Sequence, residues 1–153
     1  MDVAIGALEP PLGRLAFACT AEGLSGLSFR DTPRARAQLR AGLPLVDAPA
    51  RTEPVRDQLA AYFTGEFRAF DLPIDWRHTS GAQREVLEKL YAGVPYGETV
   101  TYGGLADLSG TGVPARAIGS IMGSNPIPIV VPCHRVVATD GLGGYSGGSG
   151  VEV

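Results

Sequence analysis

An apolar, β-branched run, Ile127-Pro128-Ile129-Val130-Val131, leads directly into Pro132-Cys133-His134-Arg135-Val136. Residues of this kind favour a buried strand. The run therefore predicts a strand that ends on a proline and delivers a cysteine beside a histidine. A glycine-rich segment over residues 141–150 follows and reads as a loop. Thiolate, rather than thiol, is the nucleophilic form of cysteine, and an adjacent imidazole is one of the few local ways to favour it. A bare Cys-His pair is more often structural, so its meaning rests on what surrounds it.

The chain has 153 residues, enough for one ordinary core or two small lobes. Hydrophobic residues make up 44% and charged residues 19%, as in globular proteins, and no stretch approaches a transmembrane span. The start, Met1-Asp2-Val3-Ala4, has no basic region and soon meets Pro10-Pro11, so no signal peptide is expected. Two distant cysteines, Cys19 and Cys133, then suggest reduced thiols in the cytoplasm. Cys19, in Ala16-Phe17-Ala18-Cys19, reads as a small buried hydrophobe. Cys19, His78, Cys133 and His134 lack the paired spacing of a zinc site, so no metal is expected. The formal charge of −3 argues against a bulk electrostatic nucleic-acid binder. Only Arg116 and Arg135 among the basic residues lie beyond residue 93. Nucleic-acid contact by the second half would depend on backbone amides, helix N-termini and a few placed side chains.

Residues 3–30 predict a strand meander: 3–8, 14–20, a turn at Glu22-Gly23, then 24–29. Short helices are expected over 34–39 and 54–63, the second starting on Pro54. Residues 70–74 read as a returning strand and 75–79 as a connector. Ser80-Gly81-Ala82-Gln83 fits a capping box, and Val86, Leu87, Leu90 and Tyr91 form a helical stripe ending near Gly93 and Pro95. Helices over 102–108 and 114–122, separated by Ser109-Gly110-Thr111-Gly112, outline a helix-turn-helix.

The second of these helices has two unlike sides. Ala115, Ile118, Ile121 and Met122 gather on one, expected to face the core. Arg116 stands on the other, among Gly119, Ser120 and Gly123. Each interior glycine costs a helix about 1 kcal/mol. Such a flat face suits either tight helix packing or a groove, where Arg116 is the only long probe; minor-groove proteins insert side chains in this way.

Four motifs in order now identify a family: Pro95-Tyr96-Gly97-Glu98-Thr99-Val100-Thr101-Tyr102, Ala115-Arg116-Ala117-Ile118-Gly119, Asn125 through Val137 around Pro132-Cys133-His134-Arg135, and Gly144-Tyr145-Ser146-Gly147-Gly148. Together they resemble the O6-alkylguanine-DNA alkyltransferases, densely over residues 80–150 and loosely before that. The resemblance implies an α/β (α+β) fold. A small ribonuclease-H-like sheet lobe would occupy residues 1–76. A helical winged-helix/helix-turn-helix DNA-binding lobe with the active-site cysteine would occupy 80–153. It implies a monomer that repairs O6-alkylguanine, and O4-alkylthymine, in double-stranded DNA bound through the minor groove. The alkyl group moves irreversibly to Cys133, with no cofactor and no membrane partner.

By the same resemblance His134 deprotonates Cys133 through water and Asn125 orders the turn before the active-site segment. Arg116 fills the gap left by the flipped nucleotide, and Ser120 on the same face joins it as a DNA contact. Tyr102 helps rotate the target phosphate and protonates the base, while Val136, Tyr145, Ser146 and Gly147 line the base pocket. The lesion lies inside the stack, so flipping must precede transfer. Two departures stand out. The helix over 80–91 has Ala82 and Leu87 where the family often has aromatics. The family's C-terminal helix, with the glutamate that hydrogen-bonds the histidine, has no counterpart before Val153, and Glu152 lies too near the loop to replace it. A truncated variant of reduced activity is therefore expected. Alternatives are a lesion-binding relative that does not transfer, disfavoured by the presence of Cys133, and an unrelated cysteine hydrolase, which would turn over.

Overall fold

The computed structural model describes residues 1–9, 14–66, 69–95 and 97–138. Its contacts divide the chain into two compact units, Met1–His78 and Thr79–Val153. In the first, β1 (Ala4–Leu8), β2 (Leu15–Thr20) and β3 (Gly23–Ser28) form an antiparallel sheet in that order. All six residues of β2 are buried, which is why the central strand is a continuous run of small and apolar residues rather than an alternating one. Two glycines are dictated by close approach. A Cβ on Gly6 would lie 2.5 Å from the Phe17 ring, and one on Gly23 would lie 2.3 Å from the Pro73 carbonyl oxygen. Cys19 is 1% exposed, and burial pushes its pKa up to about 12, so it acts as an inert packing residue.

Helix α1 (Pro33–Arg40) starts at Thr32, whose hydroxyl accepts from the Ala35 amide at 3.0 Å. Helix α2 runs Pro49–Phe63 and packs on β1. It begins five residues before the expected start, with Pro49 rather than Pro54 in its first turn. Pro54 forfeits one interior hydrogen bond. Tertiary contacts hold the added turn: Thr52 is buried, and Arg51 bonds Asp2 at 2.7 Å. Residues 70–74 do not form a strand. The segment pairs with the sheet through a bridge from Ile74 to Leu24, and Pro73 can offer a carbonyl but no N–H to a ladder.

A buried polar cluster closes this unit. Asp75 accepts from the Thr20 hydroxyl and from Arg77, whose guanidinium also reaches Glu22 at 3.2 Å. Burial alone would push the Asp75 carboxyl up, but the hydrogen bonds from Arg77 and Thr20 outweigh it and hold the pKa below its ordinary value.

In the second unit, α3 (Gly81–Gly93), β4 (Val100–Thr101), α4 (Tyr102–Ser109), α5 (Ala115–Gly123) and β5 (Val136–Val137) surround a core that includes Val86, Leu87, Leu90, Leu105, Ile118 and Val131, each 0% exposed. Ser80 precedes α3 but makes no side-chain cap. Gly81 enters with φ +57, off the usual capping path, and Gln83 instead donates to the Ser124 hydroxyl at 2.9 Å. Helices α4 and α5 pack together around a turn locked by hydroxyls: Ser109 is buried, donates to the Ala106 carbonyl and lies 2.9 Å from the Thr111 hydroxyl. Ile118 and Met122 face the core as expected, whereas Ala115, in the first turn of α5, is exposed. No described helix is long and apolar enough to cross a membrane.

Asp75 tests the frame of the first unit. A carboxylate held below its unfolded value contributes stability above about pH 4, and that contribution is lost as the pH falls through the folded pKa. Asp75→Asn should lower stability by about 1–3 kcal/mol in urea unfolding at pH 7. It should also flatten the loss of stability on acidification below about pH 4.

Candidate active site

The segment before Cys133 is buried as its composition predicts, but it is a compact turn rather than a strand. Pro126, Pro128 and Pro132 have no N–H to place in a ladder, and the remaining backbone groups close on one another. Asn125 does most of the closing. Its side-chain oxygen accepts from the Ile127 amide at 3.0 Å, and its Nδ2 donates to the Val131 carbonyl at 2.9 Å. The Val131 amide reaches the Ile127 carbonyl at 2.9 Å.

Two three-residue turns complete the path. The Val130 amide bonds the Pro128 carbonyl at 2.9 Å across Ile129, whose φ is 74. This is a γ-turn of the rare, positive-φ form, and a β-branched residue there costs about 1–3 kcal/mol. The Cys133 amide bonds the Val131 carbonyl at 2.8 Å across Pro132, with φ −82 and ψ 68, an inverse γ-turn. The Val131 carbonyl thus receives both Asn125 and Cys133, filling its two lone pairs.

Cys133 opens a 3-10 turn, Cys133–Arg135, and is 2% exposed. His134 beside it is half-buried. Burial, reinforced by the positive charge of Arg135, lowers the His134 pKa to about 4. Its imidazole is therefore neutral at neutral pH and able to accept a proton. Arg135 is buried, and its Nη1 donates to the Val94 carbonyl at 2.8 Å, where α3 ends. An arginine there complements the partial negative charge of a helix C-terminus. The sequence alone did not reveal this tether; its one signal was an arginine set in an otherwise apolar segment.

Just past the turn, β5 pairs in parallel with β4, Val100 opposite Val136 and Thr101 opposite Val137. Val136 is fully buried. Thr101 caps α4, its hydroxyl accepting from the Gly104 amide at 2.9 Å, so Tyr102 starts that helix next to the ladder that follows the Cys-His pair. The site thus gathers Cys133, His134, Asn125, Val136 and Tyr102 around one short parallel ladder and its preceding turn. Arg116 and Ser120 lie elsewhere, exposed on the outer face of α5. A Cβ on Gly119 or Gly123 would meet nothing within 4 Å. Their smallness therefore serves no helix packing among the described residues, and the face is open. Tyr145, Ser146, Gly147 and Glu152 lie outside the described residues.

Comparison with known proteins identifies the family and agrees with the fold. The model of the 6-O-methylguanine DNA methyltransferase ribonuclease-like domain matches residues 4–76, and that of its DNA binding domain matches residues 81–152. A methylated-DNA–protein-cysteine methyltransferase of Mycobacterium tuberculosis is 50% identical over 93 residues, 60% of this chain and 55% of the relative. The match thus spans only about half the length of that relative. The protein of the same name from Rattus norvegicus is 37% identical over 154 residues, 92% of this chain and 74% of the relative. The crystal structure of Mycobacterium tuberculosis O6-methylguanine methyltransferase superposes with a TM-score of 0.77 at 36% identity, covering 98% of this chain and 86% of that one. The Mycobacterium tuberculosis OGT structure in complex with DNA gives a TM-score of 0.75 at 36% identity, over 94% and 84% of the two chains. By its sequence along nearly its whole length and by its fold, the chain belongs to the methylated-DNA–protein-cysteine methyltransferase family.

Proposed function

We propose that this chain repairs alkylated DNA by moving the alkyl group from O6-alkylguanine, or O4-alkylthymine, to Cys133, in a single irreversible event per molecule. The observation that carries the reading is the thiol–imidazole pair in the 3-10 turn, with His134 held neutral. Similarity to methylated-DNA–protein-cysteine methyltransferases, and to the OGT of Mycobacterium tuberculosis in its complex with DNA, supports the same reading.

In this mechanism α5 enters the minor groove of the duplex with its open glycine face. Arg116 fills the space of the extruded nucleotide, and Ser120 contacts the backbone. Tyr102 turns the target phosphate, and Val136 forms a wall of the base pocket. Tyr145, Ser146 and Gly147 supply the loop around it. Cys133 cedes its proton through water to His134, and the sulfur attacks the alkyl carbon. The S–C bond forms as the C–O6 bond breaks, and guanine keeps the electron pair. Tyr102 protonates the leaving base and is reprotonated through solvent. The net change moves the thiol proton to guanine and leaves a thioether, so the protein is consumed. Electrons and atoms balance without a redox partner, and the proposal includes no cofactor. Asn125 acts by ordering the turn that presents the thiol. One protein molecule, acting as a monomer, suffices for each lesion.

Three measurements test the reading. Incubation with a duplex carrying radiolabelled O6-methylguanine should place one equivalent of label on Cys133. Cys133→Ser should abolish the labelling and Cys19→Ala should leave it intact; binding without labelling would instead mark a lesion sensor, and repeated turnover would overturn both.

Removing the base in His134→Ala should slow transfer about 10²–10⁴-fold. The pH dependence has a defined sign. His134 titrates at about 4 when folded, against about 6.5 unfolded, so between these values the unfolded chain binds the extra proton. Stability should therefore fall as the pH drops from about 6.5 to about 4, and transfer should fail as the imidazole protonates near the lower value. Unfolding and single-turnover rates across this range provide the check.

On α5, Gly119→Leu should raise helix stability by up to ~1 kcal/mol yet weaken duplex binding by blocking the open face. Arg116→Ala should impair flipping, read by a fluorescent base analogue, more than it impairs binding. Equal losses in both would count against the intercalating role.

A further inference from the structure

Ile129 is the one described β-branched residue with positive φ, and it lies four residues before the proposed alkyl acceptor. Nothing in the chemistry of transfer requires an isoleucine there. Glycine or asparagine would adopt the same backbone at less cost. The side chain is 3% exposed, so packing fills the site and resists relaxation to an ordinary conformation. The backbone around it is also fixed on both sides: Asn125 holds the Ile127 amide before it and the Val131 carbonyl after it.

We propose that Ile129 is a positioning residue for Cys133. Its positive-φ γ-turn reverses the chain so that the Val131 carbonyl faces both the Asn125 amide and the Cys133 amide. A β-branched residue in this conformation has little room to move at χ1, and its backbone well is narrow. The restriction passes through Val130 and Val131 to the inverse γ-turn about Pro132, and so to the direction of the Cys133 side chain. The inference rests on the reading of Cys133 as the alkyl acceptor, which the wild-type labelling experiment tests separately.

The test compares Ile129→Ala with Ile129→Gly. Both remove the packed side chain, but only glycine relaxes the positive φ. At an ordinary position glycine melts below alanine; here Ile129→Gly should melt at or above Ile129→Ala. Transfer from a lesion duplex, in single turnover, should nevertheless be about tenfold or more slower in Ile129→Gly, because small misplacements of a nucleophile cost up to roughly 10²-fold. Duplex affinity should be the same in both. Transfer rates that instead follow the melting order overturn the positioning role, and Ile129→Gly melting below Ile129→Ala overturns the strained turn itself. Should neither variant fold, amide hydrogen exchange in the wild-type chain decides. Slow exchange of the Val130 and Cys133 amides at one common rate supports a coupled pair of turns. Immediate exchange at Cys133, or two unrelated rates, overturns it. Wild-type labelling at Cys133 with no difference between the variants would fault this inference alone; failure of wild-type labelling would fault the functional reading beneath it.

Discussion

The carbonyl of Val131 is where the site is made. It accepts the side-chain amide of Asn125 and the backbone amide of Cys133. The need for this arrangement follows from the prolines. A buried segment must pair its backbone groups internally, and Pro126, Pro128 and Pro132 cannot donate. Without ladder donors the chain resorts to γ-turns and to one asparagine that serves as both donor and acceptor. The result presents a thiol at the start of a 3-10 turn with little freedom of its own. Arg135 pins the far end of that turn to the Val94 carbonyl at the C-terminal cap of α3.

The electrostatics of the second unit are spare. Of its four basic side chains, Arg135 is buried and Arg84 lies 3.6 Å from Glu88. Arg116 stands exposed on a helix face where a Cβ on Gly119 or Gly123 would meet nothing within 4 Å among the described residues. Binding on such a face would draw on close backbone approach more than on counterion release, which grows with the number of neutralised phosphates. The glycines that weaken the helix are the same ones that permit that approach. Under the proposed mode of binding, stability and recognition pull against each other along α5.

Much of this was legible in the order of residues. The meander, the five helices to within a few residues, and the outward side of α5 followed from local periodicity and turn chemistry. Several features did not, and three show why. The apolar run before Cys133 has a strand's composition, but periodicity cannot separate a buried strand from a buried turn; its prolines, which cannot donate to a ladder, make the difference. Ser80 and Gln83 have the spacing of a capping box, yet Gly81 in a left-handed conformation breaks the geometry, and Gln83 bonds Ser124, 41 residues away. Pro54 looked like a helix start, but contacts to the N-terminal strand extend α2 past it to Pro49.

The sequence by itself determined the adjacent cysteine and histidine, the helix-turn-helix and the small-residue face, since these depend on residue type and near spacing. Tertiary structure decided how Cys133 is held and which charge state its neighbour His134 favours. The neutrality of His134 arises from burial and from Arg135, and Arg135 is fixed by a carbonyl 41 residues earlier in the chain. Tyr102 starts α4 directly after a two-residue parallel ladder that joins segments 36 residues apart. Such long-range pairings arise only when the chain closes on itself, because hydrogen-bond partners and dielectric surroundings are properties of the packed fold.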